Sequence, residues 1–292
     1  MKNIIFNIEG GIGKSIIATA VCEAIKKQYP QDKLIVISSY PEVFLCNPHV
    51  DKCVHHNNRA YFYSDYIENK EFILMLHNPY LETNYALRNE HLIETWCSMF
   101  NIKYNGEMPK LYLTTREIEY FSNQFKSDKP IFVLQTNGGA SNQNVKYSWA
   151  RDIPVSIAQD VVNAFKDEYN VFHIRRDNQI FLNNTYPVST DFRNLFCLIK
   201  LSSKRLFMDS FGQHTARAFD LNSVVCWVAN SPIQFGYENN INIVANQETR
   251  KPELKNSFID KYNIGGELIE FPYNSETEIF NTEEIIEALR KD

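Results

Sequence analysis

Glu9-Gly-Gly-Ile-Gly-Lys-Ser15 decides how this chain is read, because of what stands on either side of it. Before it lies Asn3–Ile8, a short apolar run of strand length. After it, Ser15–Gln28 carries Ala18, Val21, Cys22 and Ile25 at three- and four-residue steps, the spacing of a helix with one buried face. Lys33–Ser38 (KLIVIS) then restores a buried-strand pattern. Strand, glycine turn (Gly10, Gly11, Gly13), helix and strand make a βαβ unit, and such units build parallel sheets with right-handed crossovers.

Working outward, Cys53–Val54, Phe72–Leu76 and Lys110–Leu113 read as strands. His91–Phe100 and Thr115–Phe125 read as helices, the second capped by Thr114 or Thr115. The polar stretch Lys126-Ser-Asp-Lys-Pro130 ends in proline and is the expected linker, dividing 1–127 from 128–292. Beyond it the pattern restarts with strand Ile131–Gln135, a turn at Gly138-Gly139, helix Ile157–Tyr169 and strand Val171–Ile174. Helix Phe192–Leu201, strand Arg205–Met208, helix Gly212–Phe219 and strand Ser223–Val228 follow. A closing helix at Thr282–Arg290 is free to pack back on the first half. Two successive α/β halves predict a bilobed protein whose ligands sit off the carboxyl ends of the strands, in the cleft between lobes.

Composition narrows the class. The chain has 292 residues, 44% of them hydrophobic, enough for a sizeable core, and a net charge of −5. That charge excludes broad, non-specific attraction to nucleic acid or an anionic membrane, leaving a local basic groove open. No apolar run approaches the roughly 18 residues that a membrane span requires, and the start is too short for a signal peptide. Cys22, Cys46, Cys53, Cys97, Cys197 and Cys226 show no CxxC spacing, so they are expected as reduced thiols of a cytoplasmic protein, with no metal site.

The glycine turn has two readings. A phosphate-binding loop GxxxxGK[ST] needs a glycine where Ile8 stands. A variant loop, KGGxGK[ST], fits better, with Glu9 replacing its first lysine, and implies an ATPase. Its second strand should end in aspartates, whereas this one runs into Ser38-Ser-Tyr-Pro-Glu42, and the Walker-B-like Arg205–Asp209 lies far along the chain.

The second reading rests on an ordered set. Tyr29-Pro30 closes the first helix, and Asn47-Pro-His-Val-Asp51 follows the second strand. In the second half stand Lys146-Tyr-Ser-Trp149, Asp209-Ser-Phe-Gly-Gln-His214, and Ser223–Pro232 with Phe235-Gly236. In this order they resemble glycosyltransferase family 9, the heptosyltransferase-like proteins. The resemblance implies an α/β fold of two doubly wound Rossmann-like domains (GT-B type) with an inter-domain cleft. It implies inverting transfer from a nucleotide-diphosphate sugar, without metal or other cofactor, to an acceptor that is a glycan, a small molecule or a modified nucleic acid.

The resemblance also implies site residues. Thr136, Asn137, Gly138, Lys146, Arg175, Asp209, Ser210, Gly212 and His214 become the donor site. A helix N-terminus after Asp209-Ser210 suits a diphosphate, and Lys146 suits leaving-group charge. Asp209 and Ser210 equally suit ordinary helix capping, Lys146 and Arg175 a solvated surface, and His214 a structural contact. Family members carry the general base as an aspartate directly after the last glycine of the first turn. This chain has Lys14 there. Glu9, on the same turn, is the substitute candidate for the base, and Lys14 a holder of an anionic group. A glycosyltransferase-shaped binding protein without transfer activity is therefore an alternative, beside the ATPase.

Overall fold

The computed structural model describes residues 1–125, 128–138, 148–252 and 271–291. The first half contains β1 (Asn3–Ile8), α1 (Ile12–Gln28), β2 (Lys33–Ser38), β3 (Lys52–His55), α2 (Phe62–Tyr66), β4 (Phe72–Met75), α3 (Thr83–Ala86), α4 (Leu92–Met99) and α5 (Thr115–Gln124). Its sheet is parallel throughout, in the order β3-β2-β1-β4. The second half contains β5 (Ile131–Gln135), α6 (Val155–Phe165), β6 (Asn170–Ile174), β7 (Tyr186–Val188), α7 (Phe192–Leu201), β8 (Lys204–Met208), α8 (Phe211–Ala218), β9 (Val224–Trp227), α9 (Pro232–Phe235), β10 (Ile241–Val244) and α10 (Thr282–Lys291). Its six parallel strands run β10-β9-β8-β5-β6-β7, the doubly wound order. Both halves are thus Rossmann-like, each with its own point where the strand order reverses: between β1 and β4, and between β5 and β8.

α1 begins three residues earlier than the spacing predicts, at Ile12, and is buried on nearly every side rather than on one face. The cause lies in the second half. α1 packs on its own sheet and on α4, and α8 closes over it from across the cleft. The core around α1 accordingly includes Phe196, Ala218, Val225, Trp227 and Phe235. Gly13 makes this approach possible, since a Cβ there would lie 3.0 Å from His214 Cδ2 and 3.5 Å from Phe211 Cα.

Two further sets of contacts tie the halves. Arg193 of α7 donates to the Tyr112 carbonyl at 2.8 Å and pairs with Glu117 at 2.7 Å. On the other side, Gln234 donates to the Tyr85 carbonyl at 2.8 Å and Arg88 to that of Ala229 at 3.1 Å. α5, held at its start by a Thr114–Glu117 capping box, packs on α7 and places Phe121 and Phe125 against the second sheet.

Some expectations are corrected. Lys110–Leu113 is not a strand. Its backbone is spent on α1 instead, where the Lys110 amide donates to Thr19 Oγ1 at 2.9 Å and its ammonium reaches Glu23 at 2.8 Å. β7 and β10 are short edge strands that the sequence pattern did not mark. α10 packs on α6, β8 and β9. Of the cysteines, Cys22, Cys97, Cys197 and Cys226 are buried, whereas Cys46 is exposed.

Candidate functional site

A cavity of about 650 Å³ opens where the two sheets present their reversal points to each other. Its first-half wall is the opening turn of α1, Gly11 to Lys14, with Tyr40, Tyr80 and Tyr85. The opposite wall comes from the ends of β5 and β8: Gln135, Asn137 and Gly138 on one, Asp209, Ser210 and Phe211 on the other. Arg151, Arg175 and Arg176 also line it, so among the described residues the wall, with Lys14, carries four cations and one carboxylate, that of Asp209.

Asp209 is already occupied. Its carboxylate accepts from Gln213 Nε2 at 3.3 Å and from Asn230 Nδ2, with the Arg151 guanidinium 3.9 Å away. Its carbonyl also accepts from Arg151 Nε at 2.8 Å. Asp209 therefore positions Arg151 and Asn230 at the mouth of α8. Ser210 does not cap α8, because its hydroxyl donates to Gln135 Oε1 at 2.5 Å. The first turn of α8 is left with neither a side-chain cap nor an acidic residue, and its partial positive charge faces the cavity. Gly212 is a packing requirement rather than a point of ligand approach: a Cβ there would stand 2.6 Å from the Phe207 ring. His214 lies in the wall, its Nδ1 2.8 Å from the Tyr237 hydroxyl. Burial pushes its pKa down to about 3, so the ring is neutral.

The turn after β5 is held by a residue that sequence reasoning missed. Asp152 accepts from Asn137 Nδ2 at 2.9 Å, from the Gly138 amide at 2.9 Å and from the Ser148 amide at 2.8 Å. Thr136 turns inward, between Asn137 Oδ1 and His173 Nε2, each at 2.9 Å, and is absent from the cavity wall. Arg175 lines the cavity but braces the following loop, donating to the carbonyls of Asp177 and Gln179. Lys146 lies outside the described residues.

On the first-half side, Lys14 and Glu9 separate. Glu9 is exposed, accepts from Asn7 Nδ2 at 3.2 Å and does not line the cavity. Lys14 is buried in the wall, its Nζ donating to Asn78 Oδ1 at 2.8 Å and lying over the rings of Tyr80 (4.1 Å to the centroid) and Trp96 (5.3 Å). Burial lowers its pKa from 10.5 to about 8, against the opposing influence of Glu9. Ser15, the second half of a phosphate-loop signature, is buried with its hydroxyl 3.0 Å from that of Ser38 and takes no part in the cavity. His77 is exposed, and His91 caps α4 by accepting from the Ile93 amide at 3.2 Å.

Arg151, Asp152 and Tyr80 are residues that sequence reasoning passed over, and Asn230 entered it only as part of Ser223–Pro232. Tyr80 stands in the aromatic and polar stretch His77–Tyr85, HNPYLETNY. Among the described residues, no group of three or more His, Cys, Asp or Glu is placed to hold a metal, and no helix is long and apolar enough to cross a membrane.

No protein-family model matches the chain, and no curated protein matches it in sequence. Solved structures do. A family 9 glycosyltransferase from Veillonella parvula superposes with a TM-score of 0.69 at 13% identity, over 99% of this chain and 96% of that one. The E. coli ADP-heptose lipopolysaccharide heptosyltransferase II gives 0.67 at 13% identity, over 100% and 98%. The iron-containing, dodecameric heptosyltransferase TibC of enterotoxigenic E. coli, solved with ADP-D-β-D-heptose, gives 0.68 at 12% identity, over 99% and 76%. From end to end, this chain has the two-domain fold of the family 9, heptosyltransferase-like glycosyltransferases.

Proposed function

We propose that the protein is a glycosyltransferase that moves a sugar from a nucleotide-diphosphate sugar, with inversion, to an acceptor held by the first half. The observation that carries this reading is the uncapped N-terminus of α8 opening on a cationic inter-lobe cavity, with Arg151 fixed beside it by Asp209. Departure of a nucleotide diphosphate places negative charge on the bridging oxygen and the β-phosphate. Backbone N–H groups and a fixed guanidinium stabilise that charge without reorganisation. Asn137, Gly138, Asp209, Ser210 and His214 frame this donor site, Arg175 shapes its far end, and Lys146 is proposed to neutralise leaving-group charge. ADP, solved with the E. coli heptosyltransferase WaaC and, as ADP-D-β-D-heptose, with TibC, is the first nucleotide to test.

Glu9 remains the proposed general base, standing on the turn that leads into α1. Deprotonating the acceptor hydroxyl requires it to swing from its contact with Asn7 toward the cavity. The division of the chain near residues 127 and 128 is part of the same proposal. A thermal-shift panel of nucleoside diphosphates, with and without Mg²⁺, followed by transfer or donor hydrolysis with the Glu9→Gln variant, tests it. Stabilisation by a nucleoside diphosphate without metal, and a turnover loss of about a hundredfold or more in Glu9→Gln, are expected. Stabilisation by ATP–Mg²⁺ alone would refute the transferase. Full activity in Glu9→Gln would remove Glu9.

A second reading is favoured by one observation. Lys14 stands where a transferase of this fold needs a carboxylate, which fits a nucleotide-sugar-binding protein that no longer transfers. Donor binding without hydrolysis or transfer is its signature. The position of Ser15 argues against the ATPase, since that hydroxyl would have to reach a phosphate-bound magnesium.

A further inference from the structure

Among the described residues, Lys14 is a buried cation with no carboxylate in ion-pair contact, and Glu9 acts on it only through space. The residue is only 7% exposed, and among the described residues its one hydrogen-bond acceptor is the uncharged Asn78 Oδ1. Tyr80 and Trp96 turn ring faces toward the ammonium, which soften but do not neutralise its charge. Removing an ammonium from water and leaving it unpaired is costly, so such a group is retained where a ligand supplies the opposite charge. The surroundings agree. α1 carries no side-chain cap and no acidic residue in its first turn, and Gly11, Ile12 and Gly13 line the cavity together with Lys14. The unpaired N–H groups of that turn and the ammonium thus face the same space.

This place is separate from the donor diphosphate site. Lys14 belongs to the first-half wall, whereas the α8 N-terminus, Arg151 and Asn137 belong to the second. The Gly13–His214 contact sets the two helix ends side by side, so two anions can be held in one cavity, each on its own helix.

We propose that Lys14 and the first turn of α1 form a second oxyanion subsite, which binds a phosphate monoester or carboxylate group carried by the acceptor; as an acceptor site, it rests on the transferase reading. The position that a transferase of this fold gives to a base serves here to anchor a negatively charged acceptor. A neutral sugar acceptor would leave the charge of Lys14 uncompensated, so the subsite also selects against neutral acceptors.

The test is calorimetric titration of inorganic phosphate, and separately of acetate, into the ADP-saturated full-length protein at constant ionic strength. Amide resonances of Ile12, Gly13 and Lys14 report the place of binding. Saturable binding with shifts at those three amides is expected. Phosphate affinity should fall about ten- to a hundredfold in Lys14→Met and less in Lys14→Arg, with ADP affinity unchanged. Acetate binding in place of phosphate would identify the carboxylate as the acceptor group. Three results would overturn the proposal: no saturable response at Ile12–Lys14, unchanged phosphate affinity in Lys14→Met, or loss of ADP affinity in that variant, which would assign Lys14 to the donor. Should Lys14→Met not fold, the amide shifts of the unaltered protein decide alone. If ADP itself does not bind, the transferase reading falls, while the same titration of the nucleotide-free protein still decides the subsite.

Discussion

Replacing Lys14 by methionine keeps an unbranched side chain, one heavy atom shorter, inside its aromatic surroundings and removes the charge. In the folded protein, burial lowers the pKa of Lys14 from 10.5 to about 8. At about 1.4 kcal/mol per pKa unit, this amounts to about 3 kcal/mol by which the fold disfavours the charged form. The attraction of the Tyr80 and Trp96 faces and the hydrogen bond to Asn78, all lost in the variant, return about 1–2 kcal/mol. Lys14→Met should therefore be more stable than the parent by about 1–2 kcal/mol at pH 7. Its pH dependence is specific. Below pH 8 the lysine is protonated both folded and unfolded, so the parent carries the whole penalty. Between pH 8 and 10.5 the folded protein releases the proton first, and the parent gains stability as pH rises. Urea unfolding of both proteins at pH 7, 8, 9 and 10 should show a gap that closes toward the alkaline end. A variant less stable than the parent at pH 7, or a gap independent of pH, would refute the view of Lys14 as an uncompensated buried charge.

Two other perturbations probe the frame of the cavity. Asp152→Ala removes the acceptor of three hydrogen bonds, from Asn137, Gly138 and Ser148. It should cost about 2–4 kcal/mol in urea unfolding and weaken nucleotide binding as the turn after β5 loosens. Asp152→Asn should recover little, because its amide NH₂ would face N–H donors. Gly13→Val forces a branched side chain against His214 and Phe211, where even a Cβ stands at 3.0 Å. It should destabilise by about 1–3 kcal/mol, measured by thermal or urea unfolding, through separation of α1 from α8.

Much of the frame was legible because it is local. Strand β1, the glycine turn and β2 follow from a short apolar run, a break and a second run, and α7 spans the same residues, Phe192–Leu201, that its pattern indicates. The misreadings have non-local causes. The spacing of Ala18, Val21, Cys22 and Ile25 shows one buried face of α1, but the burial of the rest depends on α8, nearly two hundred positions away. Lys110–Leu113 has the composition of a strand, yet its Lys110 amide is taken by the Thr19 hydroxyl of α1, off the edge of any sheet. The second-half wall of the cavity was readable as residues but not as roles. Asp209 and Ser210 do stand at the mouth of α8, where they act by holding Arg151, Asn230 and Gln135 in place. Lys14 stood out in the sequence as the wrong charge at the turn. Its meaning came from Asn78, Tyr80 and Trp96, which only the folded chain gathers around it.

We propose that the N-terminus of α8, not the glycine turn before α1, receives the nucleotide diphosphate. A crystal structure of the protein soaked with ADP and Mg²⁺ tests this most directly. The account predicts the diphosphate against the first turn of α8, within reach of the Arg151 guanidinium, with no metal bridging it to Ser15. A diphosphate wrapped by Gly10–Lys14 with magnesium on the Ser15 hydroxyl would contradict it.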